Sequence, residues 1–191
     1  MIIGVTGTIG SGKSTVCNIL RNQGYEVIDA DAIHHELMEV GNVIYNDVVA
    51  AFGDEILNVD KTINRAILRN IIFNSKSKKE ELENISFSHI LSKMRELSEG
   101  KNLIFWEVPL LFEAGWDKFV DTSILVVADE TTIVERVMRR SNLSAEEVYK
   151  FINAQMSVND KIKKANYVLE NDTDMIELTR RVTDLVNKII Y

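Results

Sequence analysis

The sequence predicts an α/β fold: a five-stranded parallel sheet flanked by helices, with a helical insertion and a helical lid. Three observations predict it. Short apolar runs alternate with amphipathic helical stretches along the 191 residues, the pattern of strands joined by helical crossovers. The first apolar run, Met1-Ile2-Ile3-Gly4-Val5, leads into Gly7-Thr8-Ile9-Gly10-Ser11-Gly12-Lys13-Ser14 and then into a stretch where Val16, Ile19 and Leu20 recur at helical spacing. The segment from Ala32 to Glu99 carries no convincing strand and is far longer than one crossover requires.

The glycine run fits G-x-x-x-x-G-K-[ST], and its context places the chain in the P-loop NTPase class of α/β folds. Glycines let successive backbone N–H groups turn inward on phosphate oxygens, and the helix N-terminus adds its dipole. Lys13 is then placed to reach the β- and γ-phosphates, and the Ser14 hydroxyl to ligate Mg²⁺. An accidental match to a glycine-rich turn would lack the strand before it and the helix after it.

Further along, Gly24 stops the first helix and Tyr25-Glu26-Val27-Ile28 reads as the second strand. Helical sequence then runs from Ala32 to about Glu99, broken at Gly41, Gly53 and the polar run Asn74 to Lys79. Leu103 to Trp106 is the third strand, followed by the only proline, Pro109, and Ile124 to Val127 is the fourth. A helix from Thr131 to Arg140 precedes Ser144-Ala145-Glu146-Glu147, a capping box that opens another. Residues 131–165 form the expected lid. Tyr167-Val168-Leu169 is the fifth strand, and Met175 to Ile190 closes the chain as an amphipathic helix. The whole chain is expected to be one domain, with 32–99 as its helical insertion.

Composition narrows the chemistry. Lys plus Arg number 22 against 29 Asp plus Glu, a net charge of −7, which argues against a nucleic-acid partner because a phosphate backbone demands a basic face. An anionic small molecule needs only a local positive cluster. Arg136, Arg139 and Arg140 supply one, although a solvated helix face is the commoner fate of such a cluster. The single Cys17 rules out an intramolecular disulfide and reads as a small buried hydrophobe. No apolar run reaches membrane-spanning length and no signal-peptide pattern opens the chain. A soluble, cytoplasmic protein is therefore expected, with no membrane partner and no sequence signal for an oligomeric state.

In an open parallel sheet, ligands gather beyond the carboxyl ends of the strands. The phosphate loop, Asp29-Ala30-Asp31 and Glu107 all fall there. Asp31 has two compatible readings: an N-cap for a helix opening at Ala32, and a carboxylate that takes the proton of an attacking hydroxyl. Asp29 reads as a support for Asp31 or for the metal's water shell. Glu107, behind four apolar residues, is placed to hold Mg²⁺ directly or through water. His34 and His35 are adjacent and face different ways on a helix, with no zinc-type spacing nearby. His89 alone reads as a partly buried helix residue. No glycine has an aspartate three positions before it, and Asn187-Lys188-Ile189-Ile190 lacks the final aspartate of a guanine-reading motif. GTPases are excluded, and a small phosphotransferase with a closing lid remains.

These residues resemble dephospho-coenzyme A kinases nearly end to end. The resemblance rests on Gly4 to Val16, on Val27-Ile28-Asp29-Ala30-Asp31, and on Phe52-Gly53 with Ile56-Leu57. It continues through Asn64-Arg65, Leu68 and Phe73, and above all through Val108-Pro109-Leu110-Leu111-Phe112-Glu113. Arg136, Arg140, Ala154-Gln155, Lys161, Ala165 and Asn171 keep the family's spacing. The resemblance implies phosphorylation of the ribose 3′-hydroxyl of dephospho-coenzyme A by ATP, the last step of coenzyme A biosynthesis. By position it implies ATP binding by Gly10, Ser11, Gly12, Lys13, Ser14, Thr15, Arg136 and Asn171, with Asp31 as base and Arg140 as the lid arginine. It further implies acceptor binding by Thr6, Asp31, Arg65, His89, Leu110 and Glu113, and Mg²⁺ at Ser14 and Glu107. Three positions depart from the family pattern: Glu107 stands for the usual aspartate, Ile90 for a proline after His89, and Phe151 for an arginine before Ala154-Gln155.

Overall fold

A computed structural model describes residues 1–191, which divide into two compact units. The first comprises residues 1–28 and 100–191 and contains nearly all of the sheet. Its strands are β1 (Ile2–Gly7), β2 (Val27–Asp29), β3 (Ile104–Glu107), β4 (Thr122–Val127) and β5 (Tyr167–Glu170), in the order β2-β3-β1-β4-β5. The central strand β1 pairs in parallel with β3 (Ile3 with Phe105) and with β4 (Val5 with Ile124), and β4 pairs in parallel with β5. The strands run one or two residues beyond the apolar runs that announce them. Glu107 is thus the last residue of β3, not the first residue after it, and β2 ends on Asp29. The expected start of β2 at Tyr25 is two residues early, although the Glu26 carbonyl still accepts from Phe105 N–H at 3.0 Å.

Helix α1 (Lys13–Asn22) and the C-terminal α9 (Met175–Ile190) cover one face of this sheet. Val16, Cys17, Ile19 and Leu20 of α1 and Leu178, Val182 and Val186 of α9 join Ile3, Val5, Phe105, Ile124 and Val126 in one buried cluster. Burial of a Val, Leu or Ile side chain contributes about 1.5–3 kcal/mol. Packing therefore fixes α1, since its N-cap Gly12 has no side chain to offer. Helices α6 (Glu130–Ser141), α7 (Ala145–Asn153) and α8 (Val158–Lys164) occupy the expected lid region. The Ser144–Glu147 capping box is formed in full at the start of α7, and α6 ends on Asn142 at φ 53°.

The second unit, residues 29–99, is helical, starting three residues earlier than the insertion read from sequence. It contains α2 (Ala30–Leu37), α3 (Val43–Phe52), α4 (Arg65–Asn74) and α5 (Lys76–Ser98), with a 3₁₀ turn at Asp54–Ile56. Beyond Asp29, the last residue of β2, it carries an isolated β-bridge between Leu57 and Ile63. The 23-residue α5 is the axis on which α2, α3 and α4 pack. It runs unbroken through Ile90, where a proline would remove a ladder hydrogen bond. No helix of the chain is long and apolar enough to cross a membrane.

Candidate active site

The phosphate loop between β1 and α1 is shaped by backbone geometry that only glycine tolerates well. Gly10 and Gly12 adopt φ 77° and 87°. A Cβ on Gly10 would stand 2.7 Å from Val137 Cγ2 of α6, and one on Gly12 would overlap the Asn171 side-chain amide. That amide explains the fit: Asn171 Nδ2 donates to the Ser11 carbonyl at 2.7 Å, and the Asn171 carbonyl accepts from Arg136 Nη2 at 3.1 Å. Asn171 and Arg136 thus brace the loop from behind β5 and from α6. The hydroxyls of Thr8 and Ser11 and Nη1 of Arg136 are buried without a hydrogen-bond partner. Such orphaned donors are rare in folded proteins and mark a place where an acceptor is expected. Gly12, Thr15, Arg136, Asn171 and Thr173 share a cavity of about 180 Å³.

Around Lys13 the central feature is one carboxylate. Glu107 is 2% exposed. Its Oε1 lies 3.1 Å from Lys13 Nζ and accepts from the Ser14 hydroxyl at 2.8 Å, while its Oε2 accepts from Arg21 Nη2 at 3.1 Å. Burial alone would raise the Glu107 pKa. Lys13, Ser14 and Arg21 together outweigh it and hold the carboxyl below its ordinary range. Cys17, one turn on from Lys13, is fully buried, and burial followed by the charge of Glu107 drives its thiol pKa far up. The buried, inert thiol agrees with the sequence reading. Arg21 was not legible in the sequence, for its partner lies 86 positions away. The available signal was its place on α1: Lys13, Cys17 and Arg21 follow at intervals of four, on one helical face.

Several residues expected to bind the acceptor have other work. Thr6 is fully buried, with its hydroxyl donated to the Pro109 carbonyl at 3.1 Å, so it fastens the loop after β3. Glu113 accepts from Met156 N–H at 3.1 Å and lies 2.8 Å from Nζ of Lys161, whose side chain is fully buried. A buried ammonium must keep a counter-charge, so Glu113 belongs to the anchorage of the segment between α7 and α8. The neighbouring Gln155 accepts from the Ile9 N–H of the phosphate loop at 3.1 Å. Leu110 is partly exposed, and Arg140 is exposed on the last turn of α6. Phe151 is half exposed on α7.

In the helical unit, Asp29 and not Asp31 is the N-cap. Asp29 is extended (φ −103°, ψ 115°), and its carboxylate accepts from the N–H groups of Asp31 and Ala32 at 2.9 and 3.3 Å. The helix opens at Ala30, which places Asp31 in its first turn, where the helix dipole favours a negative charge. His34, half buried and one turn on, has its pKa lowered first by burial. Asp31 opposes that shift, and Arg65 adds to it, so these three side chains lie within electrostatic reach of one another. Arg65 is exposed at the start of α4. His89 is paired with Asp47 at 2.6 Å, joining α5 to α3. That pair accounts for His89 without a ligand.

The comparisons with known proteins agree with this geometry. The family model described as dephospho-CoA kinase matches residues 1–177. A dephospho-CoA kinase of Fusobacterium nucleatum is 38% identical, over 95% of each chain. A crystal structure of a Thermus thermophilus protein superposes with a TM-score of 0.87 at 36% identity, covering 100% of this chain and 98% of that one. The dephospho-CoA kinase of Campylobacter jejuni superposes with a TM-score of 0.71 at 28% identity, covering 98% and 96%. The chain belongs to the dephospho-CoA kinase family.

Proposed function

We propose that this chain transfers the γ-phosphoryl group of ATP to the ribose 3′-hydroxyl of dephospho-coenzyme A, giving coenzyme A and ADP in the last step of coenzyme A biosynthesis. The observation that carries this reading is the convergence of Lys13, Ser14 and Glu107 at the mouth of a glycine loop, in a chain of this family. Little covalent work falls to the protein in phosphoryl transfer, so positioning and charge dominate. The loop amides and Lys13 hold the β- and γ-phosphates. Asp31 takes the proton of the attacking hydroxyl as the new oxygen–phosphorus bond forms and the bond to the ADP oxygen breaks. Arg140, exposed and unburdened by any ion pair, is the lid cation that meets the phosphates. Arg136 and Asn171 carry the loop and line the cavity behind it, which suits the remainder of the nucleotide. Arg65 and Leu110, both solvent-facing, remain suited to holding the acceptor.

The donor set fits Mg²⁺. Ser14 Oγ and Glu107 Oε1 are hard oxygen donors 2.8 Å apart, and no cluster of three or more His, Cys, Asp or Glu side chains offers a dedicated metal cage. Magnesium prefers this arrangement, one or two protein oxygens completed by water and phosphate. When bound, the ion supplies charge neutralisation on the phosphate oxygens.

The test is turnover of ATP with dephospho-coenzyme A, with AMP, with adenosine and with no acceptor, the product phosphate being located by phosphorus NMR. Contacts remote from the reacting hydroxyl help to orient it, so truncated acceptors are expected to lose kcat as well as affinity. Equal use of AMP, or a phosphate placed elsewhere, would assign the chain to a general nucleotide kinase. ATP binding without transfer to any acceptor would make it a non-catalytic binder.

A further inference from the structure

The phosphate-site carboxylate has a second, unassigned cation. Arg21 sits two turns beyond Lys13 on α1 and is itself oriented on both sides: Nη1 donates to Asn18 Oδ1 at 2.9 Å and Nη2 to Glu107 Oε2 at 3.1 Å. Glu107 is therefore divided between two duties. Oε2 is committed to Arg21, and Oε1 is offered to Lys13 and Ser14.

We propose that Arg21 is a positioning residue for Glu107, clamping Oε2 so that Oε1 stays presented beside Ser14 to a divalent cation while Lys13 turns to the phosphates. This rests on reading Glu107 as part of the metal site. Two physical arguments lead to it. A glutamate has three rotatable side-chain bonds, and the Arg21 guanidinium ties down its outer oxygen at 3.1 Å, so the clamp supplies rigidity on which a metal ligand's affinity depends. Charge gives the second argument. A carboxylate 2% exposed cannot cheaply stand alone, and when Lys13 engages phosphate Glu107 loses one of its two cations. Arg21, one-third exposed, keeps the carboxylate paired and frees Lys13 to leave. Here one glutamate carboxylate spans both cations, and an aspartate, one methylene shorter, is expected to fall short of Arg21.

The experiment measures ADP affinity by calorimetry with and without Mg²⁺, in the wild type, Arg21→Met, Arg21→Lys, Glu107→Asp and the double variant Arg21→Met/Glu107→Asp. Contacts that orient a metal's ligands are commonly worth about 10–100-fold in affinity. Arg21→Met should reduce the Mg²⁺-induced gain in ADP affinity by about tenfold, at the foot of that range, and raise the Mg²⁺ concentration for half-maximal turnover in step. Arg21→Lys, which keeps the charge, should restore most of the gain. In the Glu107→Asp background the same Arg21→Met change should cost little, because the clamp no longer reaches its carboxylate. A full Mg²⁺ gain in folded Arg21→Met, or equal costs of that change in both backgrounds, would overturn the proposal while leaving the metal site standing. Wild-type ADP binding that ignores Mg²⁺ would overturn the metal reading of Glu107, and the proposal with it.

Discussion

The phosphate-binding unit and the helical unit hold their polar side chains in different ways. In the first, the decisive bonds join residues far apart in sequence and out of solvent: Lys13 with Glu107 across 94 positions, and Asn171 with Ser11 across 160. In the second, most bonds are local and exposed, as in Asp29 with Asp31, Asn64 with Ala66, and the Lys–Glu pairs along α5. Exposed pairs of that kind each contribute about 0–1 kcal/mol. Phosphates have one shape and reward a fixed cradle, which is what the first unit provides; the looser bonding of the second is what the proposed role in holding a large, flexible acceptor would call for.

The largest expected effect tests whether Asp31 belongs to chemistry or to architecture. With capping done by Asp29, Asp31→Asn should lower kcat by about 10²–10⁴-fold and change stability by less than about 1 kcal/mol. Preserved turnover with a large drop in Tm would reverse the assignment.

Next comes Lys13→Ala, expected to lower kcat by about 10²–10³-fold in a folded protein. It also probes the buried network through pH. The Glu107 pKa is depressed in the folded state, so its stabilising contribution is fully present above the unfolded value and is lost as pH falls through the folded one. Removing Lys13 should raise the folded pKa towards the unfolded value, so a series of melting curves should show the variant losing less stability than the wild type on acidification, the two differing most above the ordinary carboxylate range and converging as pH falls. Superimposable curves would mean that Lys13 adds nothing to the charge balance of Glu107.

Two smaller effects sharpen the picture of the helical unit. Asp29→Ala removes a two-bond cap and should cost about 1 kcal/mol, read from denaturant unfolding. His89→Gln should cost no more than about 1 kcal/mol, with the KM for the acceptor unchanged. A rise of tenfold or more in that KM would return His89 to the binding site.

What could be read from the sequence follows the same division. The phosphate loop was legible because its chemistry is contiguous: Gly10, Gly12, Lys13 and Ser14 carry their own backbone and helix context. The strands and α9 were legible from periodicity. The cap was misplaced by two residues because β2 turns into α2 at Asp29 without an intervening loop, and Asp-Ala-Asp offers two candidates. Thr6, His89 and Glu113 entered the expected acceptor set through the family resemblance alone, and their partners here, the Pro109 carbonyl, Asp47 and Lys161, come from tertiary structure that no local pattern encodes. Arg21 was invisible for the same reason.

Burial of Cys17 under Glu107 has a consequence for the company this enzyme keeps. Its acceptor and its product both end in a free thiol and readily exist as disulfides. Exchange with such disulfides requires an accessible thiolate, and Cys17 offers neither access nor ionisation. With no other cysteine in the chain, the folded protein handles thiol metabolites without becoming a substrate for mixed-disulfide formation, and exposure to their disulfides should not inactivate it.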